Sequence, residues 1–146
     1  MNLELLFTIA SVTALFGWLL LLTYPFSARW AYLVSGRILP LLLAAFYTTL
    51  LVKYWGASEG GFGSLAEVVR LFSLSEAVLV GWVHYLAFDL FIGAWECETA
   101  RKEGIPFYLV VPCLVLTLMA GPFGLCAFFL TRALHRKFAN PLSSDE

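Results

Sequence analysis

Four long apolar segments constrain the fold of this chain more than any other feature of its sequence. Each holds about 20 residues or more, enough to cross a hydrocarbon core of about 30 Å as a helix, and they cover approximately residues 3–24, 30–55, 74–96 and 105–131. Hydrophobic residues make up 61% of the chain and charged residues 13%, whereas a soluble domain is about half apolar and about a quarter charged. We therefore predict an all-α, integral membrane four-helix bundle, with residues 1–146 as a single transmembrane domain.

The connection between the second and third segments has an organisation of its own. Ser64 and Glu67 have the spacing of a capping box, and apolar residues follow on one side. This pattern predicts a short amphipathic helix that lies on the membrane surface between the two spans. Ser73 and Glu76 repeat the spacing, and we expect them to begin the third span.

Charge and motifs restrict the location and the partners. Four crossings place both termini on one face, and the distribution of Lys and Arg favours the cytoplasm for that face. The net charge of -1, with no basic stripe, indicates no nucleic-acid partner. The three cysteines match no zinc pattern, so we predict no metal site. Nicotinamide, flavin and P-loop signatures are absent, and no cofactor is predicted.

Arg37, His84 and Asp89 lie well inside the predicted spans, away from their ends, where charges are costly and often functional. Arg37 lies seven residues after the start of its span and Asp89 seven before the end of its own. Both are therefore about 10 Å from the same face, and we predict an ion pair or a shared polar pocket. Asp89 and Glu96 are seven residues apart and share a helical face, with Glu96 expected to reach interfacial water. An ion pair that only fixes helix register is the structural alternative.

The fourth segment is interrupted by Gly121, Pro122 and Gly124. Pro122 has no N–H to donate to the carbonyl of Leu118, so that acceptor is freed and a kink is expected. The break then forms either a carbonyl-lined pocket wall or a packing kink with close helix approach.

The stretch from Trp82 to Trp95, with its His-Tyr-Leu-Ala-Phe-Asp centre, resembles the abscisic-acid-deficient-four family, as does the Gly-Pro element from Gly121 to Gly124. That family contains the plant chloroplast protein required for neoxanthin formation and its bacterial relatives. The resemblance covers most of the chain and is strongest from Gly81 to Leu125.

The resemblance implies a membrane protein of xanthophyll metabolism, in a bacterial inner or thylakoid-type membrane, with a carotenoid-like ligand. The associated plant reaction isomerises the epoxide violaxanthin to the allene neoxanthin, so the chain is expected to be a neoxanthin-synthase-like isomerase or an accessory factor. Asp89 and His84 are the candidate acid and base, in either assignment, with Arg37 stabilising an alkoxide or the Asp89 carboxylate. Expected substrate contacts are Trp82, Tyr85, Phe88, Trp95, Gly121 and Pro122. Many relatives carry Arg where this chain has Ala94.

Three other functions are compatible with the same residues. A carotenoid-binding protein without catalysis would keep the groove and tolerate replacement of Asp89 and His84. A small transporter or proton pathway would use Arg37, His84 and Asp89 as relay groups and would require a homo-oligomer. A haem protein with two histidine ligands from one chain is disfavoured, because His135, the second histidine, follows the last span.

Overall fold

The computed structural model describes residues 2–56 and 60–139, and this part of the chain is entirely helical apart from its turns. Within these described residues, seven α-helices and one π-helical turn, Val34–Ile38, follow one another. The helices are α1 (Leu3–Leu22), α2 (Tyr24–Leu33), α3 (Leu39–Tyr54), α4 (Leu65–Leu71), α5 (Ser75–Glu103), α6 (Phe107–Ala120) and α7 (Pro122–Ala139). The predicted all-α fold is confirmed.

Three helical segments of the described chain are long and apolar enough to cross a membrane: Leu3–Leu22, Tyr24–Tyr54 and Ser75–Glu103. The first of them turns large apolar side chains outward, since Val12, Phe16 and Leu19 are each more than half exposed. Apolar groups on the outside are expected where lipid is the surrounding solvent.

The second and third segments are longer than predicted. The second begins at Tyr24 rather than near Trp30, with Pro25 in its first turn, where a missing N–H costs nothing. The third runs past Glu96 to Glu103 and stops where Gly104 adopts a φ of +69°, a left-handed cap that suits glycine.

The predicted fourth span is not one kinked helix but a hairpin of α6 and α7. Gly121, between the two helices, has a φ of +29°. A Cβ on Gly124 would lie 2.1 Å from the backbone N of Thr117. The Sγ of Cys113 lies 3.6 Å from the Oγ1 of Thr131, although the same residues of a straight helix would be about 27 Å apart. The prediction of one continuous span is wrong, because the backbone at Gly121 reverses the chain.

Helix α5 lies at the centre and contacts α1, α3 and α6. Close approach to α1 depends on glycine in both helices: a Cβ on Gly17 would lie 2.7 Å from Leu90, and one on Gly93 would lie 2.6 Å from Trp18. The buried Ser35 of the π-helical turn donates a hydrogen bond of 2.8 Å to the carbonyl of Gly17. Small residues and such interhelical bonds are typical of helix packing in lipid.

The two ends of the described chain lie at opposite ends of α5. Leu3, in the first turn of α1, packs against the cluster that contains Leu79, near the start of α5. Arg132 of α7 instead donates a hydrogen bond of 2.8 Å from Nε to the Oε1 of Glu103, the last residue of α5. The expected arrangement, with both ends of the chain on one face, does not hold for these helices, because the α6–α7 hairpin returns to the end from which it started.

The short helix predicted between the second and third spans is present as α4. Ser64 is its N-cap, and the Ser64 Oγ accepts a hydrogen bond of 3.3 Å from the backbone N of Glu67. The Glu67 Oε2 accepts one of 3.0 Å from the backbone N of Gly63, so the carboxylate also closes the turn. The second predicted cap is displaced: α5 begins at Ser75, after Leu74 as N-cap.

Candidate functional site

A cavity of about 1270 Å³ lies between α1, α3, the first half of α5 and the connection that contains α4. Its lining is mostly apolar and aromatic, and the tip of α6 reaches it through Leu118 and Met119. A few polar side chains interrupt the apolar wall: Ser11, Tyr47, Tyr54, Glu76, His84 and Tyr85. A large apolar cavity with few polar groups is the usual form of a site for a hydrophobic small molecule.

Three of the predicted site residues, Trp82, His84 and Tyr85, line this cavity. The Trp82 Nε1 donates a hydrogen bond of 3.0 Å to the Ser11 Oγ, which holds the indole against α1. The His84 ring stacks on Phe88, with ring centroids 4.7 Å apart. Phe88, also a predicted contact, is exposed beside the cavity and supports His84 rather than lining the wall.

Tyr85 satisfies the backbone carbonyl that Pro122 leaves free. Its hydroxyl donates a hydrogen bond of 2.8 Å to the carbonyl of Leu118. The predicted free acceptor is thus present, and a side chain of α5 fills the missing bond, as a buried backbone group requires.

Asp89 and Gly121 lie in direct contact. A Cβ on Gly121 would lie 2.8 Å from the Asp89 Oδ1, so only glycine leaves room for the carboxyl group. No protein group in the described chain bonds the buried Oδ2 of Asp89. Tyr85, one helical turn earlier, lies close to this carboxyl group, but its single proton is directed to Leu118. Asp89 therefore lies just behind the cavity wall with one oxygen available for a further hydrogen bond.

Glu96 was expected to reach interfacial water, but it is a buried carboxyl group, so that expectation is wrong. Its side chain is fully buried, because α5 continues for two more turns. The Thr117 Oγ1 donates a hydrogen bond of 3.0 Å to the Glu96 Oε1, while the Oε2 has no partner among the described residues. The spacing of seven residues between Asp89 and Glu96 was the sequence signal for this position, because it places both side chains on one face of α5. That face contacts the α6–α7 hairpin.

The predicted ion pair between Arg37 and Asp89 is wrong. A Cβ on Gly36 would lie 3.1 Å from the Ala94 Cβ, so the π-helical turn packs against α5 beyond Asp89. Arg37 lines a separate cavity together with Glu98, which follows Asp89 by about 13 Å along α5. Arg37 is thus not brought together with His84 or Asp89.

The remaining predicted contacts lie away from the large cavity. Trp95 packs edge-on against Phe128 of α7, with ring centroids 5.5 Å apart, and the exposed Pro122 begins α7. Ala94 is fully buried against the π-helical turn, so this packing leaves no room for an Arg at this position. Among the described residues, no group of three His, Cys, Asp or Glu side chains could hold a metal ion.

A family model described as ABA DEFICIENT 4-like matches residues 5–128. No curated protein and no solved structure gives a significant match. The matched range includes the whole lining of the large cavity and both buried carboxyl groups, Asp89 and Glu96.

Proposed function

Because the chain belongs to the ABA DEFICIENT 4-like family, we propose that it is a multi-pass membrane protein that binds a carotenoid-like lipid and isomerises it. The observation that carries this proposal is the apolar cavity of about 1270 Å³, with His84 and Tyr85 in its wall and Asp89 directly behind. An elongated polyene fits a wall of this composition, because the hydrophobic effect and aromatic contacts supply most of its binding energy.

In the proposed membrane arrangement the chain crosses the bilayer three times. The crossings are α1, the segment Tyr24–Tyr54, which is kinked at Ser27, and α5. Helix α6 has 14 residues and is about 21 Å long, too short for a core of about 30 Å. The α6–α7 hairpin is therefore re-entrant, and α4 lies at the membrane surface.

The proposed chemistry is a redox-neutral isomerisation of an epoxide to an allene. An acid protonates the epoxide oxygen as the carbon–oxygen bond breaks. A base removes a vinylic proton, and the electron pair of that carbon–hydrogen bond forms the second double bond of the allene. The proton gained equals the proton lost, so no oxidant or cofactor is consumed. We assign the acid and base roles to His84 and Asp89, in either order.

The test is to produce the protein in a carotenoid-synthesising host, purify it in detergent, record its visible spectrum and identify the extracted pigment. A structured polyene band at fixed stoichiometry is expected. Asp89→Asn is expected to retain pigment but lose the product isomer, while Glu4→Gln, an exposed change in the first turn of α1, leaves both unchanged. If the Asp89→Asn variant has the same pigment composition as the wild type, the protein binds the pigment without catalysing its isomerisation. A colourless protein that alters no pigment in the host would contradict the proposal.

A proton pathway is the second candidate function, and one specific observation favours it. Asp89 and Glu96 each have a buried oxygen with no partner in the described chain, and both face the hairpin. Carboxyl groups in series inside a membrane bundle are typical of proton relays. Proton flux into liposomes that contain the protein, lost in Glu96→Gln, would support this function over isomerisation.

A further inference from the structure

A second cavity, of about 620 Å³, lies beside the last turns of α5 and carries an excess of positive charge. Its charged lining residues are Arg29, Arg37, Arg101 and Glu98. None of its lining residues belongs to the large apolar cavity, so it is a distinct site. Three cations and one anion leave a net positive charge that the large cavity and its chemistry do not use.

The single carboxylate of this cavity is already shared among other groups. The Tyr24 hydroxyl donates a hydrogen bond to the Glu98 Oε2. The Arg101 Nη2 lies 3.0 Å and the Lys102 Nζ 3.2 Å from the Glu98 Oε1. Glu98 therefore neutralises part of the charge on its own helix and offers no ion pair to the arginines of the neighbouring segment.

Those two arginines, Arg29 and Arg37, form no ion pair with any carboxylate in the described chain. The guanidinium Cζ of Arg37 lies 5.6 Å from the centre of the Tyr32 ring, which orients its planar group within the wall. The π-helical turn Val34–Ile38 presents Arg37 here, and such turns inside helices often mark functional sites. The cavity therefore holds two guanidinium groups that pair with no carboxylate of the described chain, and one of them, Arg37, is oriented by an aromatic ring.

The surroundings of this cavity also point to an anion at a membrane surface. Seven of the nine basic residues lie at this end of the molecule: Arg29, Arg37, Arg101, Lys102, Arg132, Arg136 and Lys137. Phe26 and Trp30, close to the cavity along α2, are 93% and 66% exposed. Exposed aromatic side chains beside a basic cluster are typical of the region where lipid headgroups lie.

We propose that this cavity binds a phosphate group, either of an anionic lipid headgroup or free in solution. A guanidinium presents parallel N–H donors that match two oxygens of one phosphate, and Arg29 and Arg37 have these donors available. Bound phosphate supplies the missing negative charge and links α2 to the π-helical turn.

The test uses the purified full chain in detergent and measures retention of phosphatidylglycerol and of phosphatidylcholine by native mass spectrometry. Preferential binding of phosphatidylglycerol is expected. Arg37→Gln and Arg29→Gln should each weaken it about fivefold. Arg70→Gln is the matched control, because it removes the same charge from α4, away from the residues that line this cavity.

Inorganic phosphate added during the titration distinguishes the two sources. If it competes with phosphatidylglycerol, the site takes free phosphate as well; if it does not, the lipid headgroup is the ligand. Equal retention of the two lipids, or variants that bind as Arg70→Gln does, would overturn the proposal. Circular dichroism of each variant without lipid verifies folding. If Arg37→Gln unfolds, the Arg29→Gln variant decides the result, because the Arg29 side chain is exposed.

Discussion

The hydroxyl of Tyr85 donates a hydrogen bond of 2.8 Å to the backbone carbonyl of Leu118, and this bond joins α5 to the tip of the α6–α7 hairpin. Two sequence features meet in it: the motif that carries the family resemblance supplies the donor, and Pro122 leaves the acceptor free. Tyr85 and Leu118 also line the large cavity. The bond therefore supports the cavity wall and the turn of the hairpin at once.

We predict that Tyr85→Phe lowers the free energy of unfolding by about 1 kcal/mol, because it leaves the Leu118 carbonyl without a partner in apolar surroundings. Thermal unfolding in detergent measures the change. Tyr108→Phe, at a position 73% exposed, removes the same hydroxyl from the surface and should have little effect. Equal stability of the two variants would show that the bond contributes nothing.

We predict that Gly124→Ala destabilises the hairpin by about 1–3 kcal/mol, the usual range for overpacking. The added Cβ would lie 2.1 Å from the backbone N of Thr117, which cannot move without separating α6 from α7. Gly81→Ala is the matched change, because its Cβ would meet only the ring of Phe72, a half-exposed side chain that can rotate. A smaller loss of stability in Gly124→Ala than in Gly81→Ala would contradict the hairpin packing.

We predict that the start of α1 and the end of α7 lie on opposite sides of the membrane, with the end of α7 on the cytoplasmic side. Three crossings and a re-entrant hairpin require opposite sides, and the seven basic residues near α7 favour the cytoplasm. Single cysteines introduced at Asn2 and at Phe138, in a variant without the three native cysteines, can be labelled in intact cells with an impermeant maleimide. Labelling at position 2 alone is expected; labelling at both positions would instead support four crossings.

We predict that Glu103→Gln loosens the attachment of α7 to α5. The Glu103 carboxylate binds the guanidinium groups of Arg132 and Arg136, and its hydrogen bond with Arg132, together with its negative charge, raises the pKa of Arg132. At low salt, proteolysis of α7 should be faster in the variant than in the wild type. At high salt the two rates should converge, because screening weakens the ion pairs of the wild type. Lys102→Gln, which removes an exposed partner of Glu98, is the control. A difference that persists at high salt would exclude an ionic attachment.

Local signals in the sequence were sufficient for the helical fold, the short α4 and its Ser64 cap, and the free carbonyl of Leu118. These features depend on neighbours within one or two turns, where spacing determines the contact. The pairing of Asp89 and Glu96 on one face was also accessible, because it follows from the helical repeat alone.

Longer-range relationships were not accessible in the same way. Gly121 and Pro122 are compatible with a kink and with a reversal, and the packing of Gly124 on Thr117 and of Cys113 against Thr131 distinguishes the two. The depth of Arg37 was counted along its helix, but the contact of Gly36 with Ala94 sets the register between helices. Such contacts depend on shape across the bundle, which residue spacing does not encode.

The α6–α7 hairpin has a consequence for the biogenesis of the protein. Its tip depends on α5, which supplies the Tyr85 hydroxyl and the contact of Asp89 with Gly121. During synthesis the hairpin tip therefore lacks its hydrogen-bond donor and its packing partner until α5 has entered the bilayer. Because α6 and α7 enter and leave through the same leaflet in the proposed arrangement, the insertion machinery never has to translocate the basic end of α7. The last step of assembly is then a docking event within one leaflet rather than another crossing.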